Sequence, residues 1–394
     1  MARYLFLALL LLLTSASSGQ IMVSGRLVDE QQRAVPYASV STADGTTGTA
    51  SNEVGEFSLK LSALPQPLTV LSIGYERVVI TATQAGALPA PVVLKASTVQ
   101  LPEVTVRANA AEELVQRCYA KLLRHQGDVQ YGRGFYRQKT QEDGRYRELF
   151  DAFYDLKITP RNMPSWVLGE ARYALTPGVM TMNNFSVYTR LMPLFVSNDP
   201  AIKTGIPFGP NAVERFWFVW RQTQRSPGRE LAVIEYAPRA ATDKLAAQGT
   251  LYIDVRTAAL FRSEKEMPSE SLFHGSGAVQ VAVSSLRIVT DYAAQNDSLT
   301  RVAATQAVTK LRLLVKGVMH ESITSSYFFV YEYGPPTSGQ KYPDTEASVV
   351  DLAAIKKRRY HPEFWRNNAV VKDSPVEEQV IKDFEGKKVF GKLN

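Results

Sequence analysis

Alternating apolar and polar positions dominate the N-terminal part of the chain. Over residues 20–97, short runs of period two are separated by turn residues, and helical periodicity is almost absent. In one run Phe57, Leu59 and Leu61 fall on one face, with charged and polar residues between them. Such alternation with frequent turns predicts an antiparallel β-sandwich.

A helix is expected next. Apolar residues recur at helical spacing in Ala110–Gln126, and charged residues lie off that stripe. Cys118 falls on the apolar face, with no histidine or second cysteine near it in sequence, so we interpret it as a buried, inert thiol.

Strand patterns return after this helix and continue for most of the chain. β-Branched and aromatic content favours extended structure in nine segments. They are Gly134–Lys139, Arg147–Ile158, Val213–Gln224, Glu230–Pro238, Gly249–Val255, Leu260–Met267, Ala278–Asp291, Ala307–Val315 and Ser325–Tyr333. We therefore predict a helix and one large antiparallel sheet over residues 110–350.

The run FWFVW, Phe216–Trp220, is apolar on both strand faces. Such a strand is covered on both sides, by a core and by a helix, a neighbouring domain or a bound apolar ligand. Plain core with a domain contact and a hydrophobe-binding cavity both remain open. For a cavity, the candidate ligand-binding residues are Phe216, Trp217, Phe218 and Trp220, with Trp365 helping to close it.

The C-terminal segment, residues 351–394, has the form of a basic docking tail. Phe364 and Trp365 are the expected anchors, and a short helix is predicted from Pro375 to Gly386. The tail carries much of the formal charge of +7. A solvated charged face explains this basicity, and peripheral contact with an anionic membrane surface is the alternative.

The first residues, MARYLFLALLLLLTSASSGQ, have the layout of a secretory signal peptide, which we assign to residues 1–19. The apolar run is shorter than the ~20 residues of a membrane-spanning helix. No cysteine follows to take a lipid, so we expect a periplasmic protein, with association to the outer membrane as an open option. Export argues against a nucleic-acid partner.

Composition is that of a globular protein without disulfides. The chain has 394 residues, 45% of them apolar and 21% charged, which suggests two domains with ordinary hydrophobic cores. Its single cysteine rules out an internal disulfide.

Five stretches of the first domain carry a family resemblance: GRLVDE, AVPYASV, GTASNEVGEFSL, LTVLSIGYE and VVLK, between Gly25 and Lys95. They are similar to the carboxypeptidase regulatory-like domain, which implies a transthyretin-like sandwich of the kind found in Gram-negative envelope proteins. Ala50 stands where that family often has threonine. LPEVTVRA, Leu101–Ala108, resembles the strand that closes the module, so residues 98–109 are assigned to a closing strand and linker.

The resemblance raises the question of an attached zinc peptidase. A zinc carboxypeptidase needs His and Glu three positions apart plus a distant His, leaving one coordination position for water. None of the four histidines, His125, His274, His320 and His361, has Glu at the third following position. We therefore predict no metal and no cofactor.

Other catalytic patterns are also missing from the sequence. It has no phosphate loop and no nucleophile elbow, and we interpret the Asp151 and Asp155 pair as solvated. The hairpin from Gly249 to Met267 is similar to one in the periplasmic lipoprotein-carrier half-barrels, where a curved sheet wraps an apolar cavity.

We expect a mainly β protein: a transthyretin-like sandwich, a helix and a large antiparallel sheet, with half-barrel curvature as an option. The expected function is non-catalytic binding of an apolar ligand, such as a lipid, or of an outer-membrane protein partner during envelope assembly or transport. The alternatives are a secreted hydrolase with an active site that follows no known motif, and an outer-membrane barrel.

Overall fold

The computed structural model describes most of the chain after residue 20. The described residues are 21–100, 109–159, 162–182, 185–190, 198–201, 205–240, 242–243, 246–267, 279–295, 299–345, 350–368, 370 and 372–391. The expected signal peptide and the stretch Leu101–Ala108 lie outside them.

The first domain is a sandwich of two four-stranded sheets, as its alternation predicts. One sheet contains β1 (Ile21–Asp29), β4 (Glu56–Leu61), β7 (Gly86–Ala87) and β8 (Val92–Leu94). The other contains β2 (Ser39–Thr42), β3 (Gly48–Ala50), β5 (Gln66–Leu71) and β6 (Val78–Ala82). Val23, Val40, Phe57, Leu59 and Val70 form part of the buried core. The inward positions of the period-two runs therefore hold the domain together.

Gly55 is required in the turn that precedes β4. Its φ is +80°, and a Cβ there would lie 2.4 Å from the carbonyl oxygen of Leu27. Only glycine combines this backbone conformation with so close an approach. The tight turn places Asn52 and Glu53 at the edge of the sandwich, where they contact the rest of the protein.

The second part of the chain is a helix and an open 11-stranded sheet. Helix α1 is Ala110–Arg124. The strands are β9 (Thr98–Gln100), β10 (Gln130–Glu142), β11 (Arg145–Ile158), β12 (Ser165–Leu175), β13 (Phe216–Ser226), β14 (Arg229–Pro238), β15 (Gln248–Asp254), β16 (Leu260–Met267), β17 (Val279–Gln295), β18 (Leu299–Val315) and β19 (Val318–Gly334). Short helices α2 (Val187–Arg190) and α3 (Ala212–Arg215) lie between strands.

All the pairings in this sheet are antiparallel. The order is β12-β11-β10-β19-β18-β17-β16-β15-β14-β13-β9, so β12 and β9 form the two ends and the sheet is not closed. β9 belongs to the stretch assigned to the end of the first domain, yet it pairs with β13. The chain therefore enters the large sheet immediately after the sandwich.

The sheet has two covered faces. The inner face packs against α1 and holds the largest core cluster, including Phe216, Tyr236 and Phe328. The outer face receives the later part of the tail, from Tyr360 on, and contacts the first domain, with Phe135 and Phe329 among its buried residues. Leu352 and Ile355, earlier in the tail, pack on the inner face. Adjacent residues such as Phe328 and Phe329 belong to different clusters because strand side chains alternate between faces.

The C-terminal segment contains three helices, where the sequence indicates one. It contains α4 (Asp351–Ile355), α5 (Pro362–Asn367) and α6 (Pro375–Gly386). The predicted helix from Pro375 to Gly386 is confirmed. It begins with a capping box in which Ser374 accepts a hydrogen bond from the backbone of Glu377, and the Glu377 carboxylate accepts one from the backbone of Ser374.

Several strand boundaries differ from the predicted ones. β12 was not predicted, and β18 and β19 begin at Leu299 and Val318, well before the predicted Ala307 and Ser325. The extra residues include many Ser, Thr and charged side chains, which weaken the alternation signal. Within the described ranges, no helix has the length and apolarity needed to cross a membrane.

Candidate functional site

The FWFVW run contributes to both faces of the sheet. Phe216 is fully buried in the inner-face cluster, and Phe218 and Trp220 pack against that cluster. Trp217 points to the outer face and is 37% exposed. The expectation that both faces of this strand are covered is therefore met on the inner face, while on the outer face Trp217 stays partly open to solvent.

Trp365 does not join these four residues. It lies on the outer face, in the cluster with Phe135 and Phe329, and its ring centroid is 5.5 Å from that of Phe153. The guanidinium of Arg172 lies 4.5 Å from the Trp365 centroid, in a cation–π contact. Trp365 therefore packs its part of the tail onto the outer face, and the sheet separates it from Phe216 and Trp220.

Helix α1 covers the aromatic inner face at the β13 end. Its apolar stripe is buried, and two basic side chains bind the turn after β15: Arg117 donates to the carbonyl of Arg256 at 2.9 Å and Lys121 to that of Thr257 at 3.2 Å. Cys118 is fully buried, and burial raises the pKa of its thiol to about 12. The thiol stays protonated, which agrees with its interpretation as inert.

Aromatic rings line much of the inner face. Trp166 stacks on Phe328 with centroids 5.0 Å apart and contacts Tyr154 at 4.3 Å. Farther along the sheet, Phe216 and Tyr236 meet edge to face at 5.8 Å. This surface suits an apolar or aromatic ligand, and in the structure it is filled by the protein's own side chains.

A polar band crosses the same inner face. Glu148 is 1% exposed, and one of its oxygens accepts hydrogen bonds from the Thr140 hydroxyl at 2.7 Å and the Gln138 amide at 3.1 Å. Burial raises the pKa of this carboxyl. Sequence reasoning did not single out these residues, because Gln, Thr and Glu in a strand are typical of a solvated face.

Arg190 carries a second buried charge on the inner side. It is fully buried and donates to Asp351 of α4 at 2.9 Å, while the Ser186 hydroxyl donates to the other oxygen of Asp351. The pair joins the segment before residue 191 to the start of the tail. Ser186 is hydrogen-bonded to a carboxylate and not to a histidine, so it lacks the base that would activate it as a nucleophile.

The turn that precedes β4, Asn52–Gly55, contacts the large sheet and the tail together, and we call it the signature turn. The Asn52 amide reaches the carbonyls of Lys372 and Asp373 at 3.4 Å. Glu53 pairs with Lys139 of β10 at 3.0 Å, and the Thr49 hydroxyl donates to the carbonyl of Val370 at 3.0 Å. We call this three-way contact of turn, sheet and tail the junction.

A chain of buried ion pairs lies at the centre of the junction. Asp151 is fully buried between Arg137, at 2.7 and 2.8 Å, and Arg172, at 2.7 Å. Glu377 of α6 forms an ion pair with Arg137 at 3.0 Å and accepts a hydrogen bond from Lys139 at 2.9 Å. Burial opposes the charge of both carboxylates, but the neighbouring cations outweigh it. They lower the pKa of Asp151 below its usual value and that of Glu377 to about 2.

Asp151 corrects an expectation from the sequence. We interpreted it as a solvated carboxylate beside Asp155, and it has no exposed surface. A signal was present in the runs FYRQK, LFDAF and EARYA, where a charge is flanked closely by aromatics or alanines inside a strand. A charge in such surroundings is more often buried and paired than solvated.

The histidines within the described residues contact carboxylates near the protein surface. The Nδ1 atoms of His125, His320 and His361 lie 2.7–3.0 Å from carboxylates of Asp128, Asp143 and Glu170. His274 lies outside the described residues. Within those residues, no group of three His, Cys, Asp or Glu side chains is arranged to hold a metal ion.

Comparison with known proteins identifies the first domain. Residues 23–106 match the family model of the CarboxypepD_reg-like domain, which confirms the resemblance drawn from the five stretches. The model covers less than half of the chain. A search of curated proteins finds no match.

Solved structures give only distant likenesses. MucB, in a crystal structure with MucA(peri), is 10% identical over 58% of this chain and 100% of its own, with a TM-score of 0.18. A DUF1329 family protein from Desulfovibrio piger is 10% identical over 58% and 95%, with a TM-score of 0.22. A LolA superfamily protein from Nitrosomonas europaea is 6% identical over 59% and 97%, with a TM-score of 0.19. Likenesses at TM-scores this low carry no argument about fold or function.

Proposed function

We propose that the protein is an exported, non-catalytic binding protein of the cell envelope. Its inner face would take up an apolar ligand, such as a lipid, or an apolar segment of an envelope partner. The observation that carries the proposal is an open sheet whose aromatic inner face is closed by a separate helix, α1. A helix that covers a sheet face can be displaced by a ligand that offers comparable apolar surface.

The way α1 is held supports this role. Its apolar stripe contacts the sheet, while Arg117 and Lys121 hold it to one turn through hydrogen bonds to backbone carbonyls. A hydrogen bond from a charged donor contributes about 1.5–3 kcal/mol. Burial of Leu114, Val115 and Leu122 adds to it, so a ligand must replace this apolar contact for the cover to open. The ligand would then contact Phe216, Phe218 and Trp220, the inner-face residues of β13.

The chemistry of the described residues favours binding over catalysis. Cys118 keeps its proton, Ser186 faces a carboxylate, and the histidines of the described ranges are paired at the surface. The CarboxypepD_reg-like domain resembles an accessory module and supplies a docking surface in the junction. Membrane contact through the basic tail stays a prediction. One of its basic side chains, Arg358, donates to the carbonyl of Leu168 at 2.7 Å.

The first experiment is mass spectrometry of an organic extract of residues 20–394, purified from a periplasm without detergent. A stoichiometric hydrophobe would support the ligand form of the proposal. If none is found, a photo-crosslinking amino acid at position 220 tests the partner form in intact envelopes. A clean protein that also forms no crosslink from position 220 would contradict both forms.

Trp220 and Trp217 provide a matched pair for the same test. Trp220→Ala removes an inner-face side chain, and Trp217→Ala removes the same side chain from the outer face three residues away. We expect Trp220→Ala to reduce retained ligand about tenfold, because a buried aromatic contributes roughly 1.5–3 kcal/mol. Trp217→Ala should retain ligand like the parent. Equal loss in both variants would place the ligand elsewhere.

A further inference from the structure

A groove of about 350 Å³ lies on the outer face of the large sheet, beside Trp217. Among the described residues, its lining belongs to five successive strands, β13 to β17, with no contribution from the first domain or the tail. Trp217 is 37% exposed and is the largest exposed apolar side chain of the groove. The function proposed for the inner face does not use this surface.

The strand register places polar side chains in a row beside the indole. The row runs from Trp217 of β13 through Ala237 of β14 and Gln248 of β15 to Glu266 of β16 and Arg287 of β17. Neighbouring strands lie about 4.8 Å apart, so the row is about 19 Å long. Ala237, the position beside the indole on the next strand, is small, which leaves space there for a ligand.

Ion pairs hold most of the charged groups of the groove. Glu264 pairs with Arg287 at 2.7 Å, and Glu235 pairs with Arg221 at 2.7 Å. Arg221 lies just outside the lining. These contacts fix the directions of the carboxylates and guanidiniums, and they compensate their charges.

The remaining polar groups add both donors and acceptors. Gln248 and Glu266 are exposed, and the Gln248 amide donates to the Glu266 carboxylate at 3.5 Å. Lys265 also lines the groove and is buried. The lining thus contains three carboxylates and two cations, and Arg221 adds a third cation beside it. The groove therefore has no excess charge that would select an ion.

We propose that this groove binds an uncharged carbohydrate chain, with one sugar ring stacked on Trp217 and its hydroxyls bound by the polar row. The C–H groups on one face of a sugar ring form an apolar surface, and the negative face of an indole attracts them. A hydroxyl donates and accepts hydrogen bonds, so it can bind carboxylates, amides and guanidiniums alike. The row is long enough for a short oligosaccharide that crosses the strands.

Calorimetry on residues 20–394 tests this proposal with neutral tetrasaccharides: cellotetraose, maltotetraose, mannotetraose and chitotetraose. At least one should bind with a Kd below about 1 mM. We expect Trp217→Ala to weaken that binding at least about tenfold, because it removes the stacking surface. Trp220→Ala is the matched control, since it removes the same side chain from the inner face and should leave sugar affinity unchanged.

Gln248→Ala tests the polar row separately, and also serves if Trp217→Ala does not fold. It should weaken sugar binding about fivefold, the effect of one hydrogen bond. Gln379→Ala is its control, because Gln379 is an exposed residue of α6 outside the groove. Trp217→Phe keeps an aromatic ring and should recover part of the affinity that Trp217→Ala loses. Added salt should change the affinity less than about twofold, since the ligand carries no charge.

Three results would overturn the proposal: no binding of any of these sugars, equal binding by the parent and both groove variants, or binding that salt abolishes. The last would indicate an ionic ligand. The outcome is independent of the inner-face function, because Trp217→Ala should still retain an apolar ligand and Trp220→Ala should still bind the sugar. Failure of either proposal can therefore be recognised without the other.

Discussion

Asp151 shows how this chain compensates a buried charge. An ionised carboxylate without water is stable only when nearby cations and hydrogen bonds replace the lost hydration. Asp151 receives bonds from both Arg137 and Arg172, and its pKa is lowered in spite of complete burial. The carboxylate is therefore charged in the folded protein. Its negative charge in turn compensates the positive charges of the two buried guanidiniums.

Asp151→Asn should be strongly destabilising. Removing one member of a buried ion pair leaves the partner charges uncompensated, which costs about 3–5 kcal/mol. Urea denaturation measures the loss. The control is Asp128→Asn, which breaks the exposed contact with His125 and should change stability by less than about 0.5 kcal/mol. Similar midpoints for the two variants would contradict a charged Asp151.

Single residues also show how far the sequence predicts the structure. Leu251 and Ile253 alternate with polar residues in the predicted strand Gly249–Val255, and both are fully buried on the inner face. Asp151 occupies the alternate, outer face of β11, which usually meets solvent. What covers that face is Glu377 and the rest of the tail, more than 200 residues later in the sequence. Periodicity shows which face a residue is on, but not what covers it.

At the scale of elements, the start of α6 has two roles: its residues cap the helix, and one of them also binds the large sheet. This start was predictable, because Ser374, Pro375 and Glu377 form a standard N-terminal signal. The tertiary role of Glu377 was not, because the same side chain closes the capping box and bridges Arg137 and Lys139. The sequence shows that the site residues from FWFVW are apolar. Which of Trp217 and Trp220 lies on the inner face depends on the strand register.

Ser374→Ala should loosen α6 without unfolding the protein. The change removes the N-cap acceptor and costs about 1 kcal/mol. Hydrogen exchange in the first turns of α6 should accelerate about fivefold, while exchange in the first sandwich stays unchanged. Val376→Ala is the control, because Val376 is 50% exposed and takes no part in the capping box. Unchanged exchange in Ser374→Ala would mean that the cap contributes nothing to α6.

At the scale of the whole molecule, the junction combines three segments that are far apart in sequence. The signature turn gives Asn52 and Glu53, β10 gives Arg137 and Lys139, and α6 gives Glu377. The first domain is therefore joined to the sheet and the tail partly through ionised side chains, beside a backbone hydrogen bond from Tyr333 to Thr46. Lys139 is central, because it binds Glu53 of the first domain and Glu377 of the tail together.

The junction should weaken in acid. Since the pKa of Glu377 is about 2 in the folded protein against a usual 4.5, its contribution is fully present above pH 4.5 and is lost as the pH falls towards 2. Linkage puts this contribution at about 3 kcal/mol. Denaturation between pH 7 and pH 2 should give a steeper loss of stability for the parent than for Glu377→Gln, which is already less stable at pH 7.

Glu378→Gln is the matched control, because its side chain is exposed one residue away. Its pH profile should follow that of the parent. Hydrogen exchange during the acid titration locates the effect: α6 and the turn around Asn52 should lose protection together, before the core of the large sheet. If Glu377→Gln and the parent lose stability with the same slope, the Arg137–Glu377–Lys139 bridge does not control the junction, and acid sensitivity must come from other carboxylates.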